Sequence, residues 1–198
     1  MYPDSIKNLI ESFKCLQGIG SKTAERLAFS ILDLEDEQVE FFASSLTEVK
    51  EKIHKCQECN NLTDDDLCFI CSDPGRDEHI LCVVDDSKSV FLFEKLGIFH
   101  GKYHVLDALI SPLEGINPED IGIDKLLKRI EDNHFEEIIF AFKPSIEGET
   151  TALYIKRILD GLDIKVSRLA SGIPIGADIE YIDSLTLERA LNDRKSIE

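Results

Sequence analysis

Four cysteines with the spacing of metal ligands stand in the first half of the chain. Cys56 and Cys59 form one C-x-x-C pair, and Cys68 and Cys71 form a second pair after eight intervening residues. Two such pairs are typical of a four-thiolate zinc site, because each pair turns two sulfurs toward one ion. Four thiolates complete a tetrahedron without an open position, so the spacing predicts a structural zinc.

Two disulfides or four idle thiols are the alternatives to this zinc site. The polar residues 60–67 between the pairs cannot order themselves by burying apolar surface, whereas metal binding can order them. His54 lies close to Cys56, but four cysteines already fill the tetrahedron, so we expect His54 at the surface. Cys15 and Cys82 stand in apolar stretches and are predicted to be buried core thiols.

The sequence shows neither an export signal nor an apolar run of membrane-spanning length. We therefore expect a cytoplasmic protein with no membrane contact. Intracellular proteins rarely keep disulfides, and this favours zinc over the disulfide alternative.

A second candidate site joins two glycines to two cations. Gly18 and Gly20 permit a tight turn between helices, and Ser21 can cap the helix that follows. Lys22 and Arg26 then lie one turn apart on the same helix face. This pattern predicts a helix-hairpin-helix that grips the DNA backbone without reading bases. An ordinary turn between two helices, with solvated cations, is the alternative.

The net charge limits what kind of nucleic-acid site the chain can carry. The formal charge is −17, and 43% of the residues are hydrophobic. Affinity for phosphate comes from Lys and Arg, so this charge excludes a DNA-binding coat over the whole surface. Any DNA site must be a local basic patch, and the acidic remainder suits a basic protein partner.

The spacing of apolar residues predicts the elements that hold these sites. The N-terminal part is predicted to be helical, and its last helix carries an apolar stripe from Val39 to Ile53 that suits a core or a subunit contact. Strands alternate with helices from residue 80 onward, and this order predicts a parallel sheet flanked by helices. Ser87 is the expected cap of the first of these helices. The predicted strands are 80–84, 103–106, 137–142 and 165–170, and the predicted helices are 87–96, 124–130, 148–162 and 183–191.

The order of these pieces resembles the RecR family of bacterial recombination mediators, whose α/β part is a Toprim domain. The resemblance runs through most of the chain and is specific in combination. It divides the chain into a helix-hairpin-helix module (1–54), a zinc finger (55–77), a Toprim-like domain (78–170) and a C-terminal oligomer contact (171–198). The stretches that carry it are 16–28, the four cysteines, 103–106, 111–113, 144–152 and 172–183.

The resemblance implies a non-enzymatic role in DNA repair. Such proteins assemble as dimers or tetrameric rings and bind single-stranded and duplex DNA without sequence preference. With RecO and RecF partners they help RecA load onto single strands covered by single-strand-binding protein. The family's DNA contacts correspond to Lys22 and Arg26, and its partner-binding acidic face corresponds to Asp85 and, more loosely, to Glu147 and Glu149.

Six positions depart from the usual family pattern. Asp85 replaces a glutamate, Ser89 an acidic residue, Lys143 an asparagine, Gln17 a proline, and Asp107 and Ala108 two glycines. The change at Ser89 bears on partner contact, the change at Gln17 makes the hairpin less rigid, and the turn at 107–108 should differ.

A catalytic Toprim nuclease or primase that uses Mg²⁺ is the competing hypothesis. That chemistry requires a glutamate after one strand and an Asp-x-Asp pair after another. Asp85 meets the first requirement in part, but Lys143-Pro144-Ser145 occupies the second position. The sequence therefore predicts a protein that is not an enzyme.

Overall fold

The computed structural model describes residues 2–170 and 172–194. The chain divides after Ile53 into a helical unit and an α/β unit. Among the described residues, no helix has the length and apolar character that crossing a membrane requires.

The helical unit contains three helices, as predicted. They are α1 (Asp4–Lys14), α2 (Ser21–Ile31) and α3 (Asp36–Lys52). α1 packs on α2, whose Ala24 and Ala28 are buried. The prediction that Ser21 caps α2 is wrong: Gly20 holds the cap position and Ser21 is the first helical residue.

α3 buries none of its residues within the described part of the chain. Its apolar stripe is largely exposed, with 42% of Phe42, 59% of Leu46 and 60% of Val49 accessible to solvent. The stripe is expected to lie either in the core or in a subunit contact. Its exposure in the single chain argues against a place in the core, so the subunit contact stays a prediction. Cys15, at the end of α1, is also exposed, so its predicted burial is wrong.

The α/β unit is built on a parallel four-stranded sheet, which confirms the predicted fold class. The strands are β3 (Asp77–Val84), β4 (Gly101–Val105), β5 (Glu137–Ala141) and β6 (Lys165–Arg168), in the order β4-β3-β5-β6. The helices are α4 (Ser87–Leu96), α5 (Ile123–Asp132), α6 (Ile146–Leu159) and α7 (Ser184–Asn192). Short 3₁₀ helices lie in the connections, at Pro112–Glu114, Pro118–Ile121 and Ile179–Tyr181.

The central strand β3 is buried on both faces, as its continuous apolar run predicts. Leu81 and Val83 pack into a core with α5 and α6. Cys82 and Val84 belong to a second core, which also contains the cysteine-bearing segment. Side chains alternate along a strand, so β3 joins the two cores through its single backbone.

Two helix caps in this unit come from aspartates. The Asp86 carboxylate accepts a hydrogen bond from the Lys88 amide at 2.9 Å, so the prediction that Ser87 is the cap misplaces it by one residue. The Asp183 carboxylate accepts a hydrogen bond from the Thr186 amide at 2.9 Å and starts α7.

Candidate functional site

The four predicted zinc ligands come together in one cluster. Their sulfurs all lie within 4.8 Å of one another, and those of Cys59 and Cys68 are 3.5 Å apart. Zn–S bonds of about 2.3 Å in a tetrahedron place sulfurs roughly 3.8 Å apart, so the cluster fits a zinc ion. Cys56, Cys59 and Cys68 are buried and Cys71 is half-buried, as expected for a closed structural site.

Backbone geometry holds the first C-x-x-C pair in place. The Cys56 amide donates to the carbonyl of Asn61 at 2.7 Å, and the Asn60 amide donates to the carbonyl of Cys56 at 3.1 Å. Asn60 adopts a positive φ of 63°, which asparagine tolerates better than most residues. The short strands β1 (His54–Lys55) and β2 (Leu62–Thr63) pair around this turn, and exposed His54 lies outside the sulfur cluster.

The sulfurs show both the support and the repulsion that a metal–thiolate site requires. Backbone amides of Asn61 and Cys68 lie 3.4 and 3.3 Å from the sulfurs of Cys59 and Cys56. Hydrogen bonds between the sulfurs raise the pKa of Cys59 and of Cys71 and lower the pKa of Cys68. Four sulfurs within 4.8 Å of one another can all be thiolates only when a cation offsets their charge, and zinc supplies that cation.

The hairpin between α1 and α2 exposes backbone donors and cations together. Gly18 has a φ of +82°, a left-handed conformation that glycine adopts without strain. The amides of Ser21, Lys22 and Thr23 have no acceptor within residues 2–170 and 172–194. Lys22 and Arg26 are exposed and form no ion pair with any described residue. The turn therefore offers an anion free N–H groups and two cations.

The structure brings Asp85 and Glu147 to one small pocket above the sheet. This pocket of about 200 Å³ lies beyond the carboxyl ends of β3 and β5, and Lys143 lines it as well. A hydrogen bond from the Ser145 hydroxyl lowers the pKa of Glu147, and the charge of Lys143 has a smaller effect in the same direction. Glu114 also lines the pocket, and no local pattern around it in the sequence predicts this position.

Glu149 is not part of that pocket. Its two carboxylate oxygens each lie 2.7 Å from one guanidinium nitrogen of Arg168. It lines a larger cavity of about 510 Å³ between α6 and the C-terminal segment. The structure thus separates Glu149 from the other two predicted partner-binding carboxylates.

A helical hairpin module, a closed four-cysteine metal site and a parallel α/β sheet define a modular class of zinc-containing protein. Four family models match successive parts of the sequence. They describe the RecR helix-hairpin-helix at residues 6–50, the RecR zinc finger domain with four cysteines at 53–73, the Toprim domain at 79–170 and the RecR C-terminal region at 172–195. The chain belongs to the RecR family, whose domains support a role as a mediator of recombinational repair. Its structural zinc is held by the four cysteines.

Proposed function

We propose that this chain is a non-catalytic, cytoplasmic mediator of recombinational DNA repair. It binds DNA as an oligomer and, with RecO- and RecF-type partners, helps RecA load onto single strands covered by single-strand-binding protein. One observation carries the proposal: a hairpin whose cations pair with no described residue shares a chain with a Toprim pocket that holds Lys143 where an enzyme needs metal-binding carboxylates.

The hairpin supports DNA binding that is independent of sequence. Lys22, Arg26 and the free amides at the start of α2 suit phosphate oxygens, and such contacts position a protein without identifying bases. A single hairpin on a chain of charge −17 should bind weakly, with a Kd on the order of 10⁻⁴–10⁻⁶ M. Single-stranded and duplex DNA both have a phosphate backbone, so the hairpin should bind both forms.

Assembly makes this weak contact effective. Several hairpins that reach one DNA molecule raise the effective concentration of each later contact, and the gain can be about 10²–10⁴. The exposed stripe of Phe42, Leu46 and Val49 on α3 supports a contact between copies, because an apolar surface of this kind marks an interaction site. The C-terminal segment from residue 171 is proposed as a second oligomer contact in a dimer or tetrameric ring.

Asp85 and Glu147 are proposed to bind a basic surface of the RecO-type partner. Both line the same pocket, and the pKa of Glu147 is lowered, so it carries a negative charge at neutral pH. Glu149 contributes less, because its ion pair with Arg168 already satisfies its carboxylate.

Replacing Asp85 with Asn and Glu147 with Gln together is expected to weaken association with the RecO-type partner. Charged pairs at an interface steer encounter and lose strength when one side becomes neutral, so an affinity loss of about tenfold or more is expected. Isothermal titration of the two purified proteins measures it. The matched control, Glu131→Gln/Asp132→Asn, removes two negative charges from the exposed end of α5 and should bind as the wild type does. Equal affinity of the pocket variant and this control would remove the pocket from the partner site.

A metal-dependent Toprim enzyme is the second candidate, because the Toprim domain also occurs in enzymes and Asp85 lies at the strand end that such enzymes use. We expect no cleavage, primer synthesis or relaxation of DNA with Mg²⁺ or Mn²⁺, since Lys143-Pro144-Ser145 follows β5 in place of an Asp-x-Asp pair. Assays of each reaction with the purified oligomer test this. Turnover that requires the metal and disappears in an Asp85→Ala variant would establish an enzyme instead.

A further inference from the structure

Three cations from the Toprim sheet and its helices contact the cysteine-bearing segment. They are Lys102 on β4 and Lys125 and Arg129 on α5. We call these three side chains the cation collar. None of them belongs to the zinc finger predicted from the sequence, and none was expected to bear on the metal.

Lys102 is fixed against the second C-x-x-C pair. Its ammonium group is buried and donates to the carbonyls of Ile70, Cys71 and Asp73 at 3.2, 3.3 and 3.2 Å. An ammonium has three N–H donors, so these contacts use its full capacity. A lysine is seldom buried unless its charge is compensated.

Arg129 and Lys125 lie one turn apart on α5 and face the first pair and Cys71. Arg129 is only 5% exposed, and one of its terminal nitrogens lies 2.7 Å from the Glu58 carboxylate and 3.9 Å from the Cys71 sulfur. The Lys125 ammonium donates to the carbonyl of Cys56 at 3.2 Å. Both cations therefore reach the backbone or sulfur of a zinc ligand.

The charge of the metal centre explains why cations collect there. Four thiolates and one Zn²⁺ carry a net charge of −2, and burying this charge is unfavourable unless opposite charges compensate it. The rest of the molecule does not supply this compensating positive charge, because the net charge of the whole chain is −17.

We propose that the cation collar is an outer shell of the zinc centre, in which Arg129 and Lys102 are positioning residues that retain the metal by offsetting its negative charge. This outer shell makes zinc retention depend on residues of the Toprim part of the chain. It also withdraws electron density from the Cys71 sulfur, which makes the thiolate less reactive toward electrophiles. The inference does not depend on the proposed role in repair.

Replacing Arg129 with Met is expected to speed zinc release by about 10–100-fold, the usual range for outer-shell residues. Release is followed with a chromogenic chelator in excess over the zinc-loaded oligomer. Lys102→Met should act in the same direction. Lys128→Met is the matched control, because it removes one positive charge from an exposed neighbour on the same helix and should change the rate by no more than about twofold.

A Glu58→Gln variant tests the electrostatic effect in the opposite direction, because it should slow zinc release rather than speed it. Its amide can still accept from Arg129, but the loss of the carboxylate leaves more of the Arg129 charge to the metal, so zinc release should slow. Glu58 is partly exposed, so this variant should fold even where Arg129→Met does not.

Cobalt substitution separates this charge effect from simple loosening of the fold. The sulfur-to-cobalt charge-transfer band should move to longer wavelength in Arg129→Met and to shorter wavelength in Glu58→Gln, and Lys128→Met should leave it in place. The proposal would be overturned if Glu58→Gln released zinc at the wild-type rate and its charge-transfer band stayed at the wild-type wavelength. It would also be overturned if Lys128→Met sped zinc release as much as Arg129→Met does.

Discussion

A Cys59→Ser variant should lose its zinc and unfold the segment that carries the four cysteines. Cys59 is buried, and its carbonyl accepts a hydrogen bond from the Val105 amide at 2.8 Å, so the disturbance reaches the edge strand β4. Zinc supplies roughly 10–16 kcal/mol of apparent binding free energy in zinc-finger peptides. Losing even about 3 kcal/mol of this would lower the Tm by about 6–12 °C for a domain of this size.

Calorimetry and elemental analysis of the same samples measure both effects. The wild type should contain about one zinc per chain, held by four sulfurs. Cys15→Ser is the matched control, because Cys15 is exposed on the helical unit and outside the sulfur cluster. If the wild type without metal had the same Tm as the zinc-loaded wild type, the structural role of zinc would be contradicted.

Reversing both hairpin charges, in a Lys22→Glu/Arg26→Glu variant, should reduce DNA affinity more than any other change at the surface. Two lost phosphate contacts per hairpin should flatten the slope of log K against log salt by about 1.8 on duplex DNA. The loss multiplies when several hairpins bind one DNA, so the oligomer should lose about 10²-fold or more. Fluorescence anisotropy at four salt concentrations measures the affinity and the slope together.

A control with the same change in charge isolates the hairpin. Lys7→Glu/Lys50→Glu adds the same negative charge to the helical unit on α1 and α3, away from the turn. It should lose affinity through the general charge but keep the slope of the wild type. Light scattering must show that both variants keep the oligomeric state. Equal slopes in the hairpin variant and the wild type would place the DNA site elsewhere.

The sequence predicts the order and type of the elements because local patterns decide them. The apolar run at 80–84 identifies a doubly buried strand, and the paired spacing of the cysteines identifies the zinc ligands. Helix starts are less well predicted. The cap of α4 is Asp86 rather than Ser87, and the cap of α2 is Gly20 rather than Ser21. Aspartate, serine and glycine all suit a cap position, so the sequence cannot decide between two such residues that are adjacent.

Contacts between distant parts of the chain leave no such local pattern. Arg129 is 71 residues from its partner Glu58 in the sequence, and nothing in the neighbourhood of either residue predicts their ion pair. The pairing of Glu149 with Arg168 is likewise not predicted by the residues around either one. The exposure of Cys15 follows from where α1 ends, which apolar spacing alone does not determine.

RecA loading onto single-stranded DNA covered by single-strand-binding protein tests the proposed function most directly. RecA ATP hydrolysis reports the loading, in the presence of the RecO-type partner and this protein. The wild type should shorten the lag before hydrolysis, and the Lys22→Glu/Arg26→Glu variant should leave the lag as long as it is without this protein, although its assembly and partner binding are intact. A wild type that leaves the lag unchanged, or a hairpin variant as effective as the wild type, would contradict a mediator that acts through its hairpin.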